Sequence, residues 1–202
     1  MGVRVLGGNL KGMELDIPSS VTRPTSVMIR RKIFDRRQDY INTVFIDCCA
    51  GSGSMGIEAW SRNADCVYFL EKNPSVLKIL KKNVSRIKSK YPTLSFERQL
   101  LISSGDAAAS LLSLKSDLRL WEKKNCEFVF YLDPPYNDKK TYDKLLLTLR
   151  SIQLDRDRIV VWIEAETGSF LNDDYLDYYG LVLDKKLTQG NRSVYLGSYR
   201  EE

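Results

Sequence analysis

Three short stretches of this chain hold residues that could do chemistry together. In VFYLDPPYN (residues 129–137) an apolar run ends in Asp133, two prolines follow at once, and Tyr136 lies three places beyond the acid. Each proline lacks a backbone donor and fixes φ at about −65°, and the residue before a proline is kept out of the helical region. The corner is therefore stiff and rich in acceptors, with the Asp133 carboxylate and the Pro134 carbonyl beside an aromatic ring. Two such acceptors can hold the N–H groups of a planar exocyclic amine and turn its remaining lone pair toward a methyl donor. Tyr136 could stack on a base that has left its helix or loop. A strand-ending turn with a solvated acid is the plainer alternative for Asp-Pro-Pro alone.

The second stretch, DCCAGSGSMG, places Gly51, Gly53 and Gly56 as G-x-G-x-x-G between an apolar run and a helical pattern. Glycines there permit a tight turn and close approach of a ligand to the backbone. The third is CVYFLE, whose Glu71 ends the next apolar run, where a carboxylate could accept from both hydroxyls of a ribose. A dinucleotide and S-adenosylmethionine (SAM) both fit this much, and glycines used only for packing fit part of it. Asp47, just before the turn, tilts the choice toward SAM, since it would repel a pyrophosphate and could meet an ammonium group. Asp106, in SSGDAA, could accept from an adenine amino group or cap a helix.

The chain contains no histidine. That excludes a Ser-His-Asp triad and any histidine metal site. The four cysteines lack metal-ligand spacing and read as reduced, buried thiols rather than disulfides. No metal is expected.

These residues need elements to position them. From residue 43 onward, near-continuous apolar strands alternate with helical patterns: 43–49, 66–71, a strand within 94–106, 126–133 and 158–166 as strands. NPSVLKILKKNVSRIKSK is the clearest helix, with Asn73 as N-cap, Pro74 first, and Leu77, Leu80, Val84 and Ile87 as its apolar stripe. The end reads as a long hairpin around Gly190-Asn191, and the beginning as a shorter one. SVMIRRKIFDRR reads as a short helix with Met28, Ile29, Ile33 and Phe34 inward and Thr25 or Ser26 as its cap. A parallel sheet covered on both faces follows, in which ligands bind at the carboxyl ends of strands. Asp47, Glu71 and Asp133 all fall at such ends.

With 202 residues, 43% of them hydrophobic, the chain suits one domain, with residues 1–40 as a basic hairpin and helix and 41–202 as the core. The net charge is +5, and residues 1–40 hold eight Lys/Arg against four Asp/Glu. A second basic run spans Lys72 to Lys90. Alone, this second run reads as the solvated face of a helix, but two basic clusters beside a cofactor site suggest a polyanionic substrate. No stretch is long and apolar enough for a membrane span, and the start lacks a signal-peptide core, so a cytoplasmic location is expected.

VRVLGGNLKGMELDIP, RPT, IDCCAGSGSMGIEAWSR and DPPY, in that order and at these spacings, resemble the bacterial RsmD-type enzymes over nearly the whole chain. Those are SAM-dependent methyltransferases acting on guanine N2 in small-subunit ribosomal RNA. The resemblance implies the class I, Rossmann-like α/β fold: a seven-stranded, mostly parallel sheet with an antiparallel C-terminal hairpin strand, and an N-terminal β-hairpin. It implies SAM contacts at Asp47, Gly51, Gly53, Gly56, Glu71 and Asp106, with their neighbours Ala50, Ser52, Lys72 and Ala107. It implies Asp133, Pro134 and Tyr136 at the target amine. Arg4, Lys11, Arg23, Thr25, Arg30, Arg31 and Lys32 become the expected RNA contacts, and the implied partner is ribosomal RNA in an assembled or assembling small subunit. After RPT the family commonly reads Thr-Asp-Arg-Val-Arg-Glu, whereas this chain has SVMIRRKIF; Cys49 replaces a usual aromatic, which reads as a core change only. Adenine-N6 methylation, a non-catalytic RNA-binding protein and, more distantly, a nicotinamide oxidoreductase are the other readings of the same residues.

Overall fold

The computed structural model describes residues 2–18, 27–135 and 138–199. Arg23, Thr25, Ser26 and Tyr136 lie outside the described residues. The chain opens with an antiparallel hairpin, β1 (Gly2–Arg4) and β2 (Glu14–Asp16), followed by α1 (Val27–Phe34). The core then runs β3 (Thr43–Asp47), α2 (Ser54–Ser61), β4 (Cys66–Glu71), α3 (Pro74–Lys90), α4 (Pro92–Glu97), β5 (Gln99–Ser104), α5 (Ala107–Ser113) and α6 (Lys115–Glu122). It continues through β6 (Glu127–Leu132), α7 (Lys139–Ser151), β7 (Ile159–Glu166), α8 (Asp173–Tyr178), β8 (Leu181–Gln189) and β9 (Arg192–Tyr199).

The last seven strands form one sheet in the order β5-β4-β3-β6-β7-β9-β8. β3 to β7 pair in parallel, while β9 enters antiparallel between β7 and β8. From β3 the chain winds outward through β4 and β5, then returns to β3's other side as β6. The winding reverses between β3 and β6, which leaves a crevice beyond their carboxyl ends. Asp47 and Asp133 stand on its two sides.

Both faces of the sheet are covered, so every residue of β3 is buried. One face packs Val44, Ile46, Phe128 and Phe130 against Tyr142, Leu145 and Leu149 of α7. The other packs Phe45, Phe69 and Tyr131 under the N-terminal hairpin, α1, α2 and α3. Phe34 of α1 anchors this second layer, with its ring 5.5 Å from Tyr40, 5.9 Å from Trp162 and 6.5 Å from Phe45. α3 begins as expected, the Asn73 side chain accepting from the Ser75 N–H at 2.9 Å with Pro74 in the first turn.

α1 departs from the expected inner face. Ile29, Ile33 and Phe34 are buried, but Met28 is 50% exposed and Arg30 takes the inward place. α2 shows why a guanidinium can lie there. Glu58 is fully buried in α2 and meets Arg62 Nε at 2.8 Å, and its charge opposes the burial that lowers the pKa of Arg30. α4, α6 and α8 were not foreseen, each being a helix of eight residues or fewer.

Candidate functional site

A cavity of about 320 Å³ opens at the carboxyl ends of β3, β4 and β6. Asp47, Ala50, Gly51, Ser52, Glu71, Lys72, Asp106, Ala107, Asp133 and Pro134 all line it. Every described residue expected at the cofactor or the target amine is therefore brought together, except Gly53 and Gly56.

Those two glycines serve packing instead. A Cβ on Gly56 would lie 2.5 Å from the Phe69 ring and 2.7 Å from Val67, both in the core strand β4. One on Gly53, at φ +85°, would meet Leu80 of α3 at 2.6 Å. Gly51 is the glycine that suits a ligand. It has φ +56°, a region that favours glycine, and no atom within 4 Å of the place a Cβ would take.

Acids tie this turn to the strand ends. The Gly51 N–H donates to Glu71 Oε2 at 2.9 Å, while Glu71 Oε1 accepts from the Asn73 N–H at 2.7 Å. One carboxylate thus joins the glycine turn to the start of α3. Asp47 Oδ2 accepts from the Gly56 N–H at 3.1 Å. Asp106 caps α5 through the Ala109 N–H at 3.0 Å and pairs with Lys144 Nζ at 2.8 Å.

The cavity gathers acidic groups, and burial raises the proton affinity of two of them. Burial pushes the Asp47 carboxyl up to about 7, the Gly56 N–H pulling against it and the charge of Glu71 adding to it. Burial raises Asp133 well above the ordinary carboxylate range; Glu164 raises it further, Arg192 opposes this, and Asp47 adds a smaller push. The hydrogen bond from Lys144 holds Asp106 low. Such a lining repels a pyrophosphate and suits a ligand carrying an ammonium and a sulfonium. The donor set therefore fits SAM better than a nicotinamide dinucleotide.

At the Asp-Pro-Pro corner, Asp133 is half-buried, Pro134 buried and Pro135 exposed. Tyr142 of α7 reaches through the layer: its hydroxyl lies 2.7 Å from the Glu164 carbonyl and 3.3 Å from the Pro134 carbonyl. Several lining residues were not singled out by sequence, namely Ile17, Pro18, Met55, Val76, Tyr131 and Thr141. Most are apolar or unremarkable in type, and only the fold brings them here. Cys49 also lines the cavity, so its place is at the site and not solely in the core. Burial raises its thiol pKa.

The expected RNA contacts fare unevenly. Arg4, Lys11, Arg31 and Lys32 are exposed, and Lys32 Nζ donates to the Thr188 carbonyl at 2.8 Å. None of them lines the cavity. Arg30 is corrected: it is fully buried, its Nη2 donates to the Arg4 carbonyl at 2.5 Å, and no phosphate can reach it in this conformation. Among the described residues no helix is long and apolar enough to cross a membrane.

Comparison with known proteins agrees with this geometry. "Putative rRNA methyltransferase YlbH" of Bacillus subtilis is 31% identical over 150 residues, covering 73% of each chain. Ribosomal RNA small subunit methyltransferase D of Haemophilus influenzae is 28% identical over 167 residues, 81% of this chain and 79% of that one. Among solved structures, "putative methylase HI0767" from Haemophilus influenzae superposes with a TM-score of 0.69 at 25% identity over the whole of both chains. Residues 3–196 match the family described as Conserved hypothetical protein 95. The chain belongs to that family, the RsmD-type methyltransferases that its motifs resemble.

Proposed function

We propose that this protein methylates the exocyclic N2 amine of a guanine in small-subunit ribosomal RNA. One observation carries the reading: the Asp133–Pro134 corner lines the same cavity as Asp47, Gly51, Glu71 and Asp106. An amine gripped at the corner would lie beside whatever the acid-lined half holds. Bound there, SAM would supply an electrophilic methyl group on a sulfonium.

The chain's own residues do the rest. Asp47 and Glu71 suit the ammonium and the ribose hydroxyls, and Asp106 an adenine amino group. Asp133 and the Pro134 carbonyl would each accept one N–H of the target amine, which leaves its lone pair facing the methyl group. The two prolines fix the direction of that carbonyl before substrate arrives, so little reorganisation is needed during transfer. Arg4, Lys11 and Arg31 are exposed and could meet phosphates, and Lys32 could do so on leaving the Thr188 carbonyl. The curated relatives carry ribosomal RNA methyltransferase names, which supports the substrate class.

The test is incubation of the purified protein with labelled SAM and small ribosomal subunits from cells lacking the enzyme, followed by digestion to nucleosides. Label is expected in N2-methylguanosine and is expected to vanish in Asp133→Ala, which should still bind SAM. Label in N6-methyladenosine would replace the guanine assignment. SAM binding without label in any nucleoside would overturn the RNA substrate.

A further inference from the structure

Behind the Asp-Pro-Pro corner lies a buried charged cluster that the reading above does not use. Glu164 sits on β7 between Ile163 and Ala165 with no exposed surface. Its Oε1 accepts from Arg192 Nη1 at 2.9 Å, and its Oε2 accepts from the Tyr131 hydroxyl. Tyr131 itself lines the cavity.

Register places this cluster against Asp133. Leu132 of β6 pairs with Ile163 of β7, so Asp133 and Glu164 come one step later, side by side where β6 ends. Glu164 pairs with Val194 of β9, and Arg192 is the diagonal neighbour two residues away on the same face. The backbone of Glu164 is tied to the corner as well, through the Tyr142 hydroxyl that lies near both its carbonyl and that of Pro134.

We propose that Glu164 and Arg192 are positioning residues for the target-amine corner, Glu164 anchoring the guanidinium of Arg192 beside the neighbouring Asp133, where its positive charge favours the anionic acceptor over the protonated donor. This rests on the assignment of Asp133 as an amine acceptor. The physical need is plain: two carboxylates at neighbouring register positions, one of them wholly buried, resist being ionised together without a cation beside them. A protonated Asp133 would present a donor to an amine that needs an acceptor. Among the described residues, the other titratable groups near Asp133 are Asp47 and Cys49 from the end of β3 and Tyr131 two residues before it. None of these supplies positive charge. Arg192 does, and its charge acts on Asp133 in the required direction.

The experiment is a carbon-13 NMR titration of the Asp133 carboxyl in the full-length protein without RNA, assigned with Asp133→Asn, alongside the pH profile of methyl transfer. In Arg192→Gln the titration and the acidic limb of activity should both move to higher pH by about one unit or more. In Glu164→Gln, with the guanidinium retained, both should move the opposite way. Arg192→Lys should restore part of the wild-type profile. Arg192 is slightly exposed, 12% for its side chain, which favours folding of its variants should Glu164→Gln fail to fold. A lowered melting temperature with an unmoved Asp133 titration in Arg192→Gln would make the pair merely structural and overturn the proposal. A moved titration in a protein that methylates no RNA would keep the coupling and reject the substrate reading instead.

Discussion

Asp47 should make SAM binding depend on pH in a range where an ordinary carboxylate is silent. Its carboxyl has no water contact to speak of, being 1% exposed, and burial raises it from 3.8 to about 7. At about pH 6 only about a tenth of the protein then carries the anion that an ammonium requires. The cofactor's own α-amino group loses its proton near pH 7.8, taking about that value for an α-amine. The product of the two ionised fractions peaks at about pH 7.4, so affinity should rise about sixfold between about pH 6 and that maximum and fall again above it. Asp47→Asn should weaken binding about ten- to a hundredfold, the worth of a charge-assisted bond, and should abolish the rising limb. Calorimetric titration in two buffers of different ionisation enthalpy checks this, since wild-type binding below about pH 7 should release a proton. A flat wild-type affinity, or an undiminished rise in Asp47→Asn, would refute the placement of the ammonium.

The same carboxyl has a consequence for stability without cofactor. Its folded value is raised, so its contribution is whole below the unfolded value of 3.8 and is lost as pH climbs to about 7. The loss is of order 4 kcal/mol. Asp47→Asn should therefore gain on wild type in unfolding free energy as pH rises across that window.

Three further changes test the packing that holds the site. Gly56→Ala drives a methyl group to 2.5 Å from the Phe69 ring and should cost about 1–3 kcal/mol in urea unfolding; a neutral result would mean that β4 yields easily. Asn73→Ala removes the acceptor that caps α3 and should cost about 1 kcal/mol, while the bond from its backbone N–H to Glu71 remains. Phe34→Ala empties the space shared with Tyr40, Phe45 and Trp162 and should cost about 3–5 kcal/mol; a loss below 1 kcal/mol would show that α1 is not held by this ring.

What could be foreseen of the site followed from one regularity. In parallel strands with both faces covered, side chains along the strand must be apolar, so an acid is tolerated chiefly at the carboxyl end, where the crevice opens. Asp47, Glu71 and Asp133 obey this, and their convergence on one cavity required only the strand order. The roles of Gly53 and Gly56 could not be separated from that of Gly51, because the motif is the same whether a missing Cβ makes room for a ligand or for Phe69 and Leu80. Charge misled where it was taken as a sign of surface. Arg30 looks like one of a run of basic residues facing solvent, yet it points inward, where its Nη2 donates to the Arg4 carbonyl and the charge of Glu58 on α2 offsets its burial. The sequence did hold a signal of that kind, an i,i+4 acid–base pair across the end of a largely apolar helix, and a second one in Glu164 between Ile163 and Ala165. A charge set among apolar neighbours in a buried element must have a partner brought from elsewhere in the chain. For Glu164 that partner, Arg192, sits 28 residues away on β9, and it becomes a neighbour because β9 inserts between β7 and β8. Had the terminal hairpin simply added its strands in chain order, β8 would lie against β7, and Glu164 would face the strand that carries Lys185 and Lys186 in place of Arg192.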